Sequence, residues 1–167
     1  MLKSLFSRKT NPAEALYGAI VAAARQPGFY RDWAVPDTVD GRFEMIVLHM
    51  YLVLDRLKPE PEPLRQALTD LFFTDMDRSL REMGVGDLGV GKKVRKMAEA
   101  FFGRIAAYAG SNDVESLTDS LARNAYAGNA GGNEAAAKML ALWTFNAKQK
   151  LQSQCAENIV NGRISFA

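Results

Sequence analysis

Gly41–Leu57 reads GRFEMIVLHMYLVLDRL, and this stretch decides the fold class. Phe43, Ile46, Val47, Met50, Tyr51, Leu54 and Leu57 fall at offsets 0, 3, 4, 7, 8, 11 and 14, the spacing of one helical face. Met45, Leu48, Leu52 and Val53 cover much of the opposite side. A helix that is apolar nearly all round is either buried on two sides or exposes a patch for a partner. Asp40 is the expected N-cap. Even with His49 included, Met45–Leu54 is about half the roughly 20 residues needed to cross a bilayer.

The flanking sequence repeats the helical pattern. Upstream, Asn11-Pro12-Ala13-Glu14 carries a capping asparagine, a proline at the first helical position and a glutamate at the third. That favours a helix over Pro12–Arg25, stopped by Pro27-Gly28, rather than a cleaved signal. Downstream, the prolines of Pro59–Pro63 launch a helix that runs to about Met83. Its stripe is Leu64, Ala67, Leu68, Leu71, Phe72, Met76, Leu80 and Met83. A glycine-rich loop, GVGDLGVG, spans Gly84–Gly91. The next helix carries Val90, Val94, Met97, Phe101, Ile105 and Tyr108 on one face. A short helix opens near Asn112 and ends near Gly128. After GNAGG, a last helix covers about Asn133–Gln154. The tail NIVNGRISFA is either extended or a docked end. No apolar/polar alternation of strand length is bounded by turn signals. The expectation is an all-α, single compact helical domain of five to six helices. Residues 1–11 form a flexible basic N-terminus, 12–154 the helical domain and 155–167 a C-terminal tail.

Composition narrows the chemistry. The 167 residues are 48% apolar and 24% charged, ordinary for a globular domain. The charge balance, 21 basic against 19 acidic residues, leaves a net +2 that implies no nucleic-acid partner by itself. His49 is the single histidine, which excludes a two-histidine zinc site and forces any Ser-His-Asp or Cys-His triad through that residue. Cys155 is the single cysteine, so there is no internal disulfide framework.

Several motifs invite a sharper reading beside a plainer one. Gly84–Gly89 matches G-x-G-x-x-G, and Gly86–Lys92 matches part of a phosphate loop. Both need a preceding strand, and the lysine must be followed by Ser or Thr, where Lys93 stands instead. A helix–helix turn is the plainer reading, and a loop whose amides meet a partner is the other. Behind it stand Lys92, Lys93, Arg95 and Lys96. From Arg78 to Arg104 there are seven basic and three acidic residues, a net +4. If these cations sit in the first turns of their helix they oppose its dipole and cost about 1–2 kcal/mol together. The cluster is a solvated face or binds anionic lipid, RNA or an acidic protein surface. His49 reads as a satisfied core or interface histidine, and Asp70, Asp75 and Asp77 as solvated helix-face acids. Phe29-Tyr30-Arg31-Asp32-Trp33 packs over the bundle or forms a recognition surface.

Two blocks, VPDTVDGRFEMIVLH at Val35–His49 and FTDMDRSLREMGVGDLGVGKKVRKM at Phe73–Met97, resemble the ubiquinol–cytochrome c chaperone family, the cytochrome b assembly factors. The likeness extends to Tyr17, Tyr30-Arg31-Asp32-Trp33, Phe101-Phe102-Gly103-Arg104 and Ala122-Arg123-Asn124. It implies a helical, non-catalytic chaperone that helps newly made cytochrome b enter ubiquinol–cytochrome c reductase. The missing Arg/Ser-rich transit peptide favours a bacterial member, cytoplasmic and peripheral to the inner membrane. The resemblance implies cytochrome b and the ribosome as partners, the basic cluster adds an anionic membrane surface, and no small-molecule substrate and no cofactor are expected. The candidate partner-binding residues are Tyr30, Arg31, Asp32, Trp33, Arg42, Met45, Leu48, Leu52, Arg81, Gly84, Gly86, Lys92, Lys93, Arg95 and Lys96. In this reading Met45, Leu48 and Leu52 form an apolar recognition face, and Lys92–Lys96 hold the protein near the membrane. The alternative is an RNA- or ribosome-binding helical module that uses the same basic helix.

Overall fold

Caps and prolines set most of the helix starts. The structure, a computed structural model, describes residues 11–127 and 133–166. Asn11 accepts a hydrogen bond from the Ala13 amide at 3.1 Å and opens α1 (Pro12–Ala24), as its sequence predicts. Pro27 takes the first turn of α2 (Pro27–Arg31). Thr38, not Asp40, caps α3 (Val39–Arg56), accepting from the Gly41 amide at 3.1 Å. Pro63 lies in the first turn of α4 (Glu62–Glu82). Then come α5 (Asp87–Gly110), α6 (Val114–Asn124), α7 (Glu134–Ser153) and α8 (Ala156–Val160). Asp113 and Ser116 form a capping box at the start of α6. Every regular element among the described residues is helical. The expected five to six helices fall short because α2 and α8 are five-residue helices in stretches read as loop and tail. The basic segment before Asn11 and the GNAGG loop lie outside the described residues, Asn11 itself apart.

The single domain is built around α3. It packs against α1, α5 and α7, while α4 lies across α1 and α5, and α6 pairs with α7. From Met45 to Val53 every residue of α3 is buried. The all-round apolar pattern therefore means burial on two sides. Met45, Leu48 and Leu52 are at most 1% exposed, so they are core and not a recognition face. The reason lies about a hundred residues downstream. His49 shares their side of α3, and its ring packs on Trp143 of α7 and Phe166 of the tail, with centroids 5.2 and 4.8 Å away. Burying a leucine-sized side chain contributes about 1.5–3 kcal/mol, and α3 supplies several such side chains at once.

The tail is docked. The Gln154 side chain donates to the Ser165 carbonyl at 2.7 Å and accepts from its amide at 2.9 Å. Gly162 has φ of 75°, and a Cβ there would stand 2.8 Å from the Ala15 backbone, so only glycine fits. Arg56 donates to the carbonyls of Leu151 and Gln154 at 3.0 and 3.1 Å, placing a cation on the C-terminal end of α7.

Candidate functional site

The glycine-rich segment stops one helix and starts the next. Gly84 has φ of 83°. Its amide donates to the Arg81 carbonyl at 2.9 Å, and the Val85 amide donates to Leu80 at 3.1 Å. That pair is a Schellman stop for α4. Gly86 is then the N-cap of α5. Arg81 fastens the turn from one side, pairing with Asp77 at 2.6 Å and also with Asp87. The preceding element is a helix, so the strand-to-helix geometry of a nucleotide loop does not form. The segment is a helix–helix turn.

Because α5 begins at Asp87, Gly89 and Gly91 are helical, and Lys92, Lys93, Arg95 and Lys96 sit in its second and third turns. They lie beyond the helix end where cations oppose the dipole, so the expected cost of about 1–2 kcal/mol does not arise. The dipole penalty fades within the first turn, where Asp87 is favourable instead. All four cations are exposed, and among the described residues no carboxylate lies within ion-pair distance of them.

A groove runs between α3, α4 and α5. One part, about 640 Å³, has Phe43, Ile46, Met76, Leu80, Met83 and Met97 in its walls, with four cations, Arg25, Arg42, Lys93 and Lys96, and three acids, Asp40, Asp75 and Glu82, beside them. Its second part shares Val39, Asp40, Phe43, Lys96 and Met97 and ends at the Glu44–Arg104 pair. Val39 and Met83 are large apolar residues left 60% and 52% exposed. A neighbouring depression, lined by Tyr30, Arg31 and Asp37, meets the groove at Arg25 and Arg42.

The predicted residues are distributed unevenly over this surface. Arg42, Lys93 and Lys96 come together on the groove, while Lys92 and Arg95 are not among its lining residues. Arg42 pairs with Asp37 at 2.7 Å, which holds the Asp37 carboxyl below its usual range. Tyr30 donates to the Ala24 carbonyl at 2.8 Å, and burial raises its phenol. Arg31 and Asp32 pair on the surface at 2.6 Å. Asp32 and Trp33 belong to a different cavity, beside His49. Arg81, Gly84 and Gly86 build the turn.

Sequence reasoning missed the methionine floor. Met76 and Met83, seven residues apart, fit the core stripe of α4 by spacing, yet Met83 is half exposed. An unusual density of methionine in Phe73–Met97 was the available signal. Flexible thioethers suit variable apolar partners. Among the described residues no three His, Cys, Asp or Glu side chains converge as a metal site. Among the described residues no helix is long and apolar enough to cross a membrane.

The family described as ubiquinol-cytochrome C chaperone matches residues 31–166. The fold is similar to a solved structure described as the crystal structure of the Cbp3 homolog from Brucella abortus. The two superpose with a TM-score of 0.82 at 38% identity, over 93% of this chain and 88% of that one. No curated protein matches. A family match over most of the chain, together with a relative of this identity and coverage, leads to one conclusion: the chain belongs to the ubiquinol–cytochrome c chaperone family.

Proposed function

We propose that this protein is a non-enzymatic assembly chaperone that binds newly made cytochrome b and promotes assembly of the ubiquinol–cytochrome c reductase complex. Family membership supports the chaperone class. The single observation that carries the reading further is the groove between α3, α4 and α5, where Val39 and Met83 leave apolar surface exposed and Lys93 and Lys96 stand unpaired beside it.

A membrane-protein client presents apolar helix surface near the bilayer. Val39, Met83 and the methionine floor offer it an apolar seat without a fixed shape. Lys92, Lys93, Arg95 and Lys96 hold the chaperone at an anionic membrane surface, worth about 1 kcal/mol for each basic side chain close to it. Binding and release then need no bond to be made or broken.

The test is affinity capture from membranes of the source cell, with the wild type, a V39E/M83E variant and a variant reversing the four cations. Cytochrome b retained by the wild type and lost by V39E/M83E supports the reading. Absence of cytochrome b from the wild-type capture, with normal assembly of the reductase in a deletion strain, overturns it. Capture of RNA instead, with steep salt dependence, would favour the nucleic-acid alternative.

A further inference from the structure

The groove takes in Lys93 and Lys96 and leaves Lys92 and Arg95 outside it. The core face of α5 fixes where those two stand. Val90, Phe101 and Tyr108 are its buried residues. At 3.6 residues per turn, a position two places from Val90 lies about 200° round the axis from it. Leu88 stands two places before Val90 and Lys92 two places after, so both share the outward side, as neighbours at i and i+4. Arg95 continues the row three residues on. The three span about 10 Å of the helix axis.

Leu88 is fully exposed, the most exposed large apolar side chain among the described residues. Single exposed leucines are common. This one heads a row of cations, and among the described residues no carboxylate lies within ion-pair distance of Lys92, Lys93, Arg95 or Lys96. The acids at the turn are engaged elsewhere, Asp87 with Arg81 and Glu82 with Arg78. Glu99 is the next acid along α5, one turn beyond Arg95. An apolar tip backed by unpaired lysine and arginine suits the interface of an anionic bilayer. The apolar side chain sinks below the headgroups, and the long basic stems reach up to the phosphates. Across the turn Met83 is half exposed as well, and it lines the groove.

We propose that the turn between α4 and α5 is a membrane-insertion tip. Leu88 enters the acyl boundary of an anionic leaflet, Lys92 and Arg95 bind the lipid phosphates, and Met83 is held at the bilayer with the groove it lines. This rests on the membrane reading of the basic cluster, and it adds the inserted residue and the direction of approach.

The experiment sediments the full chain with phosphatidylcholine–phosphatidylglycerol vesicles, beside Leu88→Asn and the variant reversing the four cations. Leu88→Asn should bind about 5- to 10-fold more weakly. Its melting temperature should stay close to that of the wild type, because the side chain is exposed. Raising the salt should weaken both proteins and preserve the ratio between them, since apolar insertion is not screened. In Leu88→Trp, the vesicles should shift the emission to the blue by more than in the wild type, which carries Trp33 and Trp143, and brominated acyl chains should quench the added signal. Weaker binding by the charge-reversed variant with unchanged binding by Leu88→Asn overturns the insertion and leaves the electrostatic reading standing. So does added Leu88→Trp emission that neither shifts nor is quenched. No vesicle binding by the wild type, or charge reversal without effect, overturns both.

Discussion

Arg104 of α5 grips Glu44 of α3 with both carboxylate oxygens engaged. Its Nε donates to Oε1 at 2.7 Å and to Oε2 at 2.8 Å, and its Nη2 lies 2.7 Å from Oε1. The two members are unequally exposed, the Glu44 side chain at 6% and the Arg104 side chain at 25%. Removing the exposed member strands a buried charge, whereas removing the buried one leaves a cation that can turn to water. Arg104→Met should therefore cost about 3–4 kcal/mol and Glu44→Gln about 1–2 kcal/mol. Urea unfolding of both variants checks the order, and a costlier Glu44→Gln would refute it. The pair also lines the far end of the groove, so Arg104→Met should weaken client capture more than its stability loss explains.

His49 makes stability pH-dependent with a definite sign. Burial depresses its pKa from 6.5 to about 4. The unfolded chain therefore takes up a proton as the pH falls below 6.5, while the folded chain resists it. Stability from this group is full above pH 6.5, declines as the pH falls toward 4 and levels off below that. The total is about 3 kcal/mol, from the size of the shift. Asp32, which lines the same cavity, is held below the ordinary carboxylate range by Arg31 and keeps its charge through the upper part of this window. Unfolding free energies of wild type and His49→Gln at pH 7.5, 5.5 and 4 isolate the effect. A difference that does not change with pH would contradict it.

Two helical glycines should respond in opposite directions. A Cβ on Gly41 would stand 1.9 Å from the Pro36 carbonyl oxygen, a backbone atom fixed by the turn before α3. Gly41→Ala should cost several kcal/mol, on the order of 3 or more, or abolish folding. Gly103 is exposed in α5 with nothing within 4 Å of a Cβ. Gly103→Ala should stabilise by about 0.5–1 kcal/mol. Thermal melts of the two variants separate these outcomes.

Reversing Lys92, Lys93, Arg95 and Lys96 to glutamate should leave the fold nearly untouched. The residues are exposed and lie beyond the first turn of α5, so the change in stability should stay within about 1 kcal/mol. Association with anionic vesicles should fall by far more, and by less as salt is raised. Unchanged vesicle association with a normal circular dichroism spectrum would remove the membrane role from the cluster.

Part of this architecture was legible in the residues alone. Asn11, the apolar faces of α3, α4 and α5 and the helix–helix turn at Gly84–Gly86 follow from local rules of capping and periodicity. What failed was information held at long range. Thr38 and Asp40 are both good caps, and the close approach of Gly41 to Pro36 goes with Thr38. Gly89 and Gly91 read as loop, yet Val90 between them is 1% exposed, so packing draws them into α5. The all-round apolar face of α3 could not announce its cover, because Trp143 and Phe166 arrive from far along the chain. The groove was only half legible. Its cations were visible as a cluster, but its floor is shared among three helices, and no single helix reveals a shared surface.

Gly162 resting on Ala15 seats the end of α8 against α1, so the two ends of the described chain meet. A circularly permuted gene could therefore bridge residues 166 and 11 with a short linker and open new ends between Pro59 and Glu60, in the turn before α4. Such a rewired chain would keep the same neighbours in space while reversing the order in which α3 and α4 leave the ribosome.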